Sequence, residues 1–293
     1  MTYIHFIVNP ISGKGTHGLT ESYIKSFFPE DKFRIEVYPT QHKGHAIELA
    51  KAAVILNADY VVACGGDGTI NEVASCLINT NAKLGIIPVG SGNGLASNLQ
   101  IPRDYKTAME IIRDGKTSTI DSGTINGQYF FSNTGLGIDA AIIRNYEHSG
   151  KRTLLSYIKA SLRASFSYKP AITSVSYNNG TFKVKPFLLF ISNSNEMGYN
   201  MSLTPKASLS DGWLDLVIVP ELSFFGKLLL GYYVLRNKVE KFKKAKHALV
   251  RDVNIQMPEN IFTDVQIDGE YRQLKTNTFT IGVLENALKV LTR

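Results

Sequence analysis

The chain has 293 residues, 44% hydrophobic and 19% charged, an ordinary globular composition that excludes wholesale disorder and predicts about two domains. Its two cysteines, Cys64 and Cys76, exclude a disulfide framework and fit a reducing cytoplasm. The net charge of +7 is uneven: residues 151–246 hold 15 Lys/Arg against 5 Asp/Glu, the remainder 17 against 20, so one region is built to meet an anionic membrane, nucleic acid or an anionic substrate.

Residues 3–8 form a strand-like run at the N-terminus with no basic lead, so no secretory signal is expected. Further strands are predicted over 33–38, 60–64 and 83–88, with helices over 19–28, 44–56 and 70–78. This alternation predicts an α/β domain with a mostly parallel sheet and helices on both faces, over residues 1–125. Ligands of such sheets bind at the carboxyl ends of the strands, which directs attention to residues 9–15, 39–44, 65–71 and 89–94. From residue 119 strands dominate: 119–125, 129–133, 173–177, 181–192, 213–219, 250–256, 265–267 and 278–283. Helices over 151–166 and 224–236 interrupt them. A β-rich sandwich domain is expected over 126–280. No apolar run reaches the ~18 residues of a membrane span.

The strongest motif is Cys64-Gly65-Gly66-Asp67-Gly68-Thr69-Ile70-Asn71-Glu72, following an apolar strand. Its glycines let backbone approach an anion, and Thr69 with the first helical N–H groups can donate to phosphate. Asp67 in such a loop would repel the ligand unless Mg²⁺ mediates. Asn9-Pro10-Ile11-Ser12-Gly13-Lys14-Gly15 ends the first strand, with Lys14 adding positive charge; it is not a Walker A loop. Pro88-Val89-Gly90-Ser91-Gly92-Asn93-Gly94 follows the fourth strand, and Thr40 follows the second. Four glycine- or hydroxyl-bearing loops at one sheet edge favour a nucleotide phosphate site over plain turns. The six histidines show no metal-spaced cluster in the sequence, and no GxSxG nucleophile motif or nucleic-acid-binding signature occurs.

These motifs, in this order and spacing, resemble the diacylglycerol kinase / sphingosine kinase family of lipid kinases, the bacterial multi-substrate members above all. The resemblance implies ATP-dependent transfer of the γ-phosphoryl group to a hydroxyl of a lipid such as diacylglycerol or a sphingoid base, with ATP as co-substrate and Mg²⁺. NAD-kinase-like phosphorylation of a soluble acceptor and a non-catalytic nucleotide- or lipid-sensing module are the alternatives. Asn9, Pro10, Ile11, Ser12, Gly13, Thr40, Gly65, Gly66, Asp67, Gly68, Thr69, Ile70, Asn71, Glu72 and Ser91 would hold the nucleotide. Asp67 would orient phosphates and metal, and the acceptor would enter a cleft lined partly by the β-rich domain. In Pro205-Lys206-Ala207-Ser208-Leu209-Ser210-Asp211-Gly212-Trp213, the family pattern implies a Mg²⁺ held by the Asp211 carboxylate and backbone oxygens of Ser208 and Trp213; the same residues also read as a turn. In Val265-Gln266-Ile267-Asp268-Gly269-Glu270-Tyr271 it implies that Asp268 or Glu270 is the catalytic base, and strand alternation would put both on similar sides. The final segment, about 281–293, would return to the first domain.

The segment 236–246 has six Lys/Arg and one Glu, with Phe242 among them, after an apolar, aromatic helix. It predicts peripheral contact with the inner face of an anionic membrane, where the lipid substrate resides, rather than nucleic acid. A homodimer is compatible with the sequence.

Overall fold

The computed structural model describes residues 1–13, 15, 17–150, 153–197, 201–259 and 264–293. Lys14, and the first two residues of the helix expected over 151–166, lie outside the described residues. The chain divides into two compact units, Met1–Asp121 with Asn286–Arg293, and Ser122–Glu285.

The first unit runs β1 (Thr2–Val8), α1 (Glu21–Lys25), β2 (Phe33–Pro39), α2 (His45–Ile55), β3 (Tyr60–Gly65), α3 (Asp67–Leu77), β4 (Lys83–Pro88), α4 (Gly94–Asn98) and α5 (Tyr105–Asp114). Strands β2, β1, β3 and β4 pair in parallel in that order. The interior strands read as unbroken apolar runs because both faces are covered; β3 is buried from Val61 onward. Helix α1 is capped by Thr20, whose hydroxyl accepts the Tyr23 N–H, and stops before the expected residue 28. Pro29 disfavours helical backbone at Phe28. Helix α3 starts at Asp67, three residues before expectation, because N–H groups of a first turn need no helical partner and Gly68 costs little there.

The second unit follows β5 (Thr117–Ile125), which straddles the division, with β6 (Gln128–Phe130), β7 (Asn133–Gly137), α6 (Ile138–His148), α7 (Leu154–Ser167), β8 (Thr173–Tyr177), β9 (Gly180–Val184) and β10 (Pro186–Ser192). Then come β11 (Leu214–Pro220), α8 (Phe224–Leu235), β12 (Lys246–Val250), β13 (Asp252–Gln256), β14 (Val265–Ile267), β15 (Glu270–Arg272) and β16 (Thr278–Leu291). One antiparallel sheet has the order β12-β11-β10-β7-β14-β15. Opposite it, β13 lies between β8 and the first part of β16, and β8 pairs with β9.

Three expected strands are each two. Pro186 has no N–H and ends the run over 181–192, so β9 and β10 join different sheets. Arg251 likewise separates β12 from β13. Phe131 and Ser132 separate β6 from β7. Conversely β16 runs on to Leu291, and its last part lies parallel to β4, with Val290 opposite Leu84.

Two cores follow from strand alternation. Leu189, Ile191, Leu216 and Ile218 pack against Val175, Val253, Ile255, Phe279 and Ile281 of the other sheet, forming the sandwich. Their neighbours Leu188, Phe190, Val217 and Val219 face the opposite way, onto Ile138, Ala164, Leu222 and Leu230 of the helical layer.

Candidate functional site

In the first unit the glycine loops converge through specific contacts. The Asn9 side-chain amide donates to Thr69 Oγ1 at 3.0 Å, and the Asn9 N–H donates to Cys64 O at 2.9 Å. Thr40 N–H donates to Val8 O at 2.8 Å, and Gly44 N–H to Glu72 Oε1 at 3.3 Å. Asp67 ties in the third loop: Oδ2 accepts the Asn93 N–H at 2.8 Å and Oδ1 the Gly94 N–H at 2.7 Å. Arg103 donates to Ser91 O at 2.7 Å and Gly92 O at 3.1 Å.

Close packing explains two of the glycines. A Cβ on Gly90 would lie 2.6 Å from Gly66 Cα and 2.7 Å from Asn93 Oδ1. Gly13 (φ +65°) sits where a Cβ would lie 2.6 Å from Val89 O. Gly90→Ala is therefore expected to spread the loops, lowering stability by about 1–3 kcal/mol and weakening ATP binding about tenfold. Titration calorimetry and urea unfolding measure both; unchanged ATP affinity would mean the loops do not act together.

Thr69 is buried and its hydroxyl oxygen accepts from Asn9, which links the two loops and leaves the hydroxyl hydrogen to donate. Ile70 is a core side chain, able to offer only backbone. Ile11 is exposed. Gly66 stands at the start of α3 without a side chain to cap it, so the positive end of the helix dipole lies at this loop, a setting that suits an anion. The sequence reading missed Arg103, whose role depends on carbonyls a dozen residues away.

In the second unit, Asp268 and Gly269 are the two central residues of the β14–β15 hairpin, both with positive φ (+47° and +79°). This is the type I′ turn that Asp-Gly favours, and it overrides the strand alternation expected for Asp268 and Glu270. The Asp268 carboxylate is buried. Its Oδ1 accepts the N–H of Ser132 (2.7 Å) and Asn133 (3.0 Å), and Phe131 N–H reaches Oδ2 at 2.9 Å. Glu270 instead pairs with Arg272 at 2.8 Å, half-buried.

Among the implied metal residues, Asp211 Oδ1 accepts the Trp213 N–H at 3.0 Å, and Ser208 Oγ accepts the Ser210 N–H at 3.3 Å. The neighbouring Asp215 carboxyl is pushed up to about 6, first by burial and then by the Asp211 charge. The Asp211 and Asp215 carboxylates offer the kind of oxygen donors that a hard cation such as Mg²⁺ takes. His42, His45 and Glu48 at the start of α2 also hold ligand atoms within 4.8 Å of one another, a grouping the sequence reading missed, although His45 Nδ1 already accepts the Gln41 N–H.

A cavity of about 450 Å³ lies within the second unit, under α6, α7 and α8. Its walls are mostly apolar, Leu162, Phe187, Leu188 and Leu228 among them, while Tyr157, Ser161, Ser165, Lys227, Tyr232 and the carboxyl of Asp139 bring polar groups. Asp139 is only 3% exposed, its Oδ2 has no hydrogen-bond partner, and burial pushes its carboxyl up to about 6 against the pull of the Gln266 amide. Gln266 Oε1 in turn accepts the Gly269 N–H at 2.8 Å. The cavity's one carboxyl is thus joined through Gln266 to the Asp268-Gly269 turn. Neither α6 nor this link has a short-range sequence signature.

The diacylglycerol kinase catalytic domain matches residues 3–125, and the YegS C-terminal NAD kinase beta sandwich-like domain matches residues 132–292. The chain is 30% identical over 277 residues to a diacylglycerol kinase of Staphylococcus aureus (strain JH9), covering 90% of this chain and 85% of that one. It is 28% identical over 276 residues to a diacylglycerol kinase of Bacillus subtilis (strain 168), covering 92% and 90%. Its fold is that of a diacylglycerol kinase from Bacillus anthracis str. Sterne, with a TM-score of 0.75 at 19% identity over 99% of this chain and 97% of that one. An NAD kinase from Archaeoglobus fulgidus in complex with ATP shares the fold more loosely, with a TM-score of 0.55 at 11% identity over 99% and 93%. The chain therefore belongs to the diacylglycerol kinase family, with a YegS-type β-sandwich following its catalytic domain.

Proposed function

We propose that this protein is an ATP-dependent lipid kinase that transfers the γ-phosphoryl group to a hydroxyl on a lipid acceptor. The observation that carries the lipid reading is the apolar cavity of about 450 Å³ whose one carboxyl, Asp139, connects through Gln266 to the Asp268 turn. An acyl or alkyl chain suits the apolar walls, and the partnerless Asp139 oxygen suits a donor on the head of the same molecule. NAD, charged and hydrophilic along its length, does not suit the apolar walls.

The nucleotide phosphates would lie against the loops carrying Asn9 to Gly13, Gly65 to Thr69 and Ser91, at the N-terminus of α3. Mg²⁺ would neutralise charge developing on the transferred group. A second Mg²⁺ would be held by Asp211 with Ser208 and Trp213 oxygens. Phosphoryl transfer needs mainly positioning and charge neutralisation, tasks suited to rigid glycine loops. Asp268 is the better-oriented candidate for receiving the hydroxyl proton, being held by three amides. The two free cysteines, one buried and one half-buried, accord with the ATP-rich, reducing cytoplasm.

Labelled ATP with Mg²⁺ and a panel of diacylglycerol, sphingosine, ceramide, phosphatidylglycerol and NAD tests the reading. Transfer to a lipid and not to NAD is expected; transfer to NAD alone would overturn it.

Asp139→Asn separates stability from binding. Because folding raises the Asp139 carboxyl from its ordinary value to about 6, its contribution to stability is fully present below the unfolded pKa and is lost as pH rises through about 6. The variant is expected to be more stable than the parent at pH 7 by up to ~3 kcal/mol, with little difference near pH 3.5. It should nevertheless bind the lipid acceptor less well, seen as a raised KM. Urea unfolding at several pH values and steady-state kinetics read the two effects. A variant less stable at pH 7 would refute the burial argument.

A further inference from the structure

The loop after β1 carries a side chain to which the phosphate motifs assign no role. His17 is half-buried, and its imidazole bridges two backbone groups: Nε2 lies 3.0 Å from Asn9 O, and Nδ1 accepts the Leu19 N–H at 3.3 Å. A carbonyl oxygen can only accept and an amide N–H can only donate, so the two partners fix the tautomer, with the proton on Nε2 and the lone pair on Nδ1. The ring is a neutral clamp, a donor toward one end of the loop and an acceptor toward the other. Gly18 (φ +68°) turns the chain between them, so that the Leu19 N–H meets the ring of His17.

Both ends of the clamp are anchored. Leu19 is a core side chain. Asn9 uses every polar group it has. Its N–H donates to Cys64 O at 2.9 Å, its Oδ1 accepts the Ile11 N–H at 3.2 Å, its side-chain amide donates to Thr69 Oγ1, and its carbonyl accepts the Ser12 N–H at 3.2 Å besides His17. Asn9 therefore ties the end of β1 to β3 and to α3, and His17 ties the returning arm of the loop to Asn9. Two backbone bonds within the loop, Ser12 N–H to Asn9 O and Gly15 N–H to Ser12 O, reach back three residues each and set turns. The His17 bond reaches back eight residues and draws the arm onto the strand end. A loop held in this way meets its ligand with less ordering still to be done, which strengthens binding without any new contact.

We infer that His17 is a positioning residue for the nucleotide: it holds the loop after β1 closed on its own strand end, presets the N–H groups offered to the phosphates, and takes no part in the transfer step. The inference rests on the ATP-dependent reading and is independent of the acceptor's identity. A residue of this kind acts on ATP binding and leaves the chemical step alone, so its loss raises KM for ATP at constant kcat. Glutamine reproduces the clamp, because its amide holds a donor and an acceptor side by side, whereas phenylalanine keeps a ring and loses both.

The test compares the full chain with His17→Phe and His17→Gln. Calorimetry with ATP and Mg²⁺, no acceptor being present, reads nucleotide affinity. Steady-state kinetics read KM for ATP and kcat, and hydrogen exchange in the nucleotide-free protein reads opening at the Leu19 amide. His17→Phe is expected to weaken ATP binding and raise KM for ATP about tenfold, to keep kcat within about twofold, and to exchange the Leu19 amide about tenfold faster. His17→Gln is expected to stay within about threefold of the parent in all three. Unchanged ATP affinity in His17→Phe, equal losses in both variants, or a fall in kcat at constant KM overturns the clamp. Should His17→Phe lose its far-UV circular dichroism, His17→Ala takes its place with the same expectations. A parent that binds ATP and phosphorylates no lipid counts against the lipid-kinase reading alone, because calorimetry still decides the clamp. A parent without affinity for ATP overturns both.

Discussion

Asp67→Ala is expected to lower ATP-dependent turnover by about a hundred- to a thousandfold while leaving far-UV circular dichroism unchanged. Each carboxylate oxygen of Asp67 takes one backbone N–H of the third glycine loop, Asn93 on Oδ2 and Gly94 on Oδ1. Truncation releases that loop and removes the anion proposed to orient Mg²⁺ and the phosphates. Asp67→Asn is not expected to rescue, because its NH₂ group would face a backbone donor at one of the two positions. Steady-state kinetics with saturating Mg²⁺ and ATP calorimetry check this. Turnover within a few-fold of the parent for either variant would remove Asp67 from the mechanism and leave it a loop strap.

Asp268→Ala is expected to be the most destabilising single change at the site, by about 3–9 kcal/mol, because three buried amides lose their acceptor at ~1–3 kcal/mol each. Against the ~5–15 kcal/mol typical of a folded domain, that is a large fraction. Asp268→Asn separates structure from chemistry. Its carbonyl oxygen can take the place of Oδ1 and keep the Ser132 and Asn133 bonds, but its NH₂ group then faces the Phe131 N–H, so stability should fall by about 1–3 kcal/mol, whereas kcat should fall at least about a hundredfold if this group takes the proton. Glu270→Gln, altering a half-buried ion pair, is expected to leave kcat within about threefold. Urea unfolding and kinetics on all three variants check the assignment. A collapse of kcat in Glu270→Gln with normal turnover in Asp268→Asn would transfer the proton to Glu270 and leave Asp268 a turn anchor.

Local sequence carried the fold where its signals were local. The apolar runs over 3–8 and 60–64 are buried strands of the parallel sheet, and the alternation over 173–177 and 265–267 lies where β8 and β14 form. Some legible signals were passed over: Asp104 caps α5 through the Thr107 N–H, and Gly115 closes it with φ +68°. Other boundaries depended on partners. Val184 and Pro186 are two residues apart yet belong to different sheets, and only the strands they join assign them. The basic, aromatic stretch after α8 was visible as composition, but which of its rings faces outward was not.

By itself the sequence determined the α/β-then-β order, the three glycine motifs and the Asp-Gly hairpin, because helix, strand and turn preferences act over a few residues. Only the tertiary structure decided that Gly90 must be small for Gly66, that Asp268 serves the amides of Phe131 to Asn133, and that Asp139 lies buried with an oxygen unpartnered. Those properties depend on groups up to more than a hundred positions away in the chain, and a carboxylate's role is set by the donors around it.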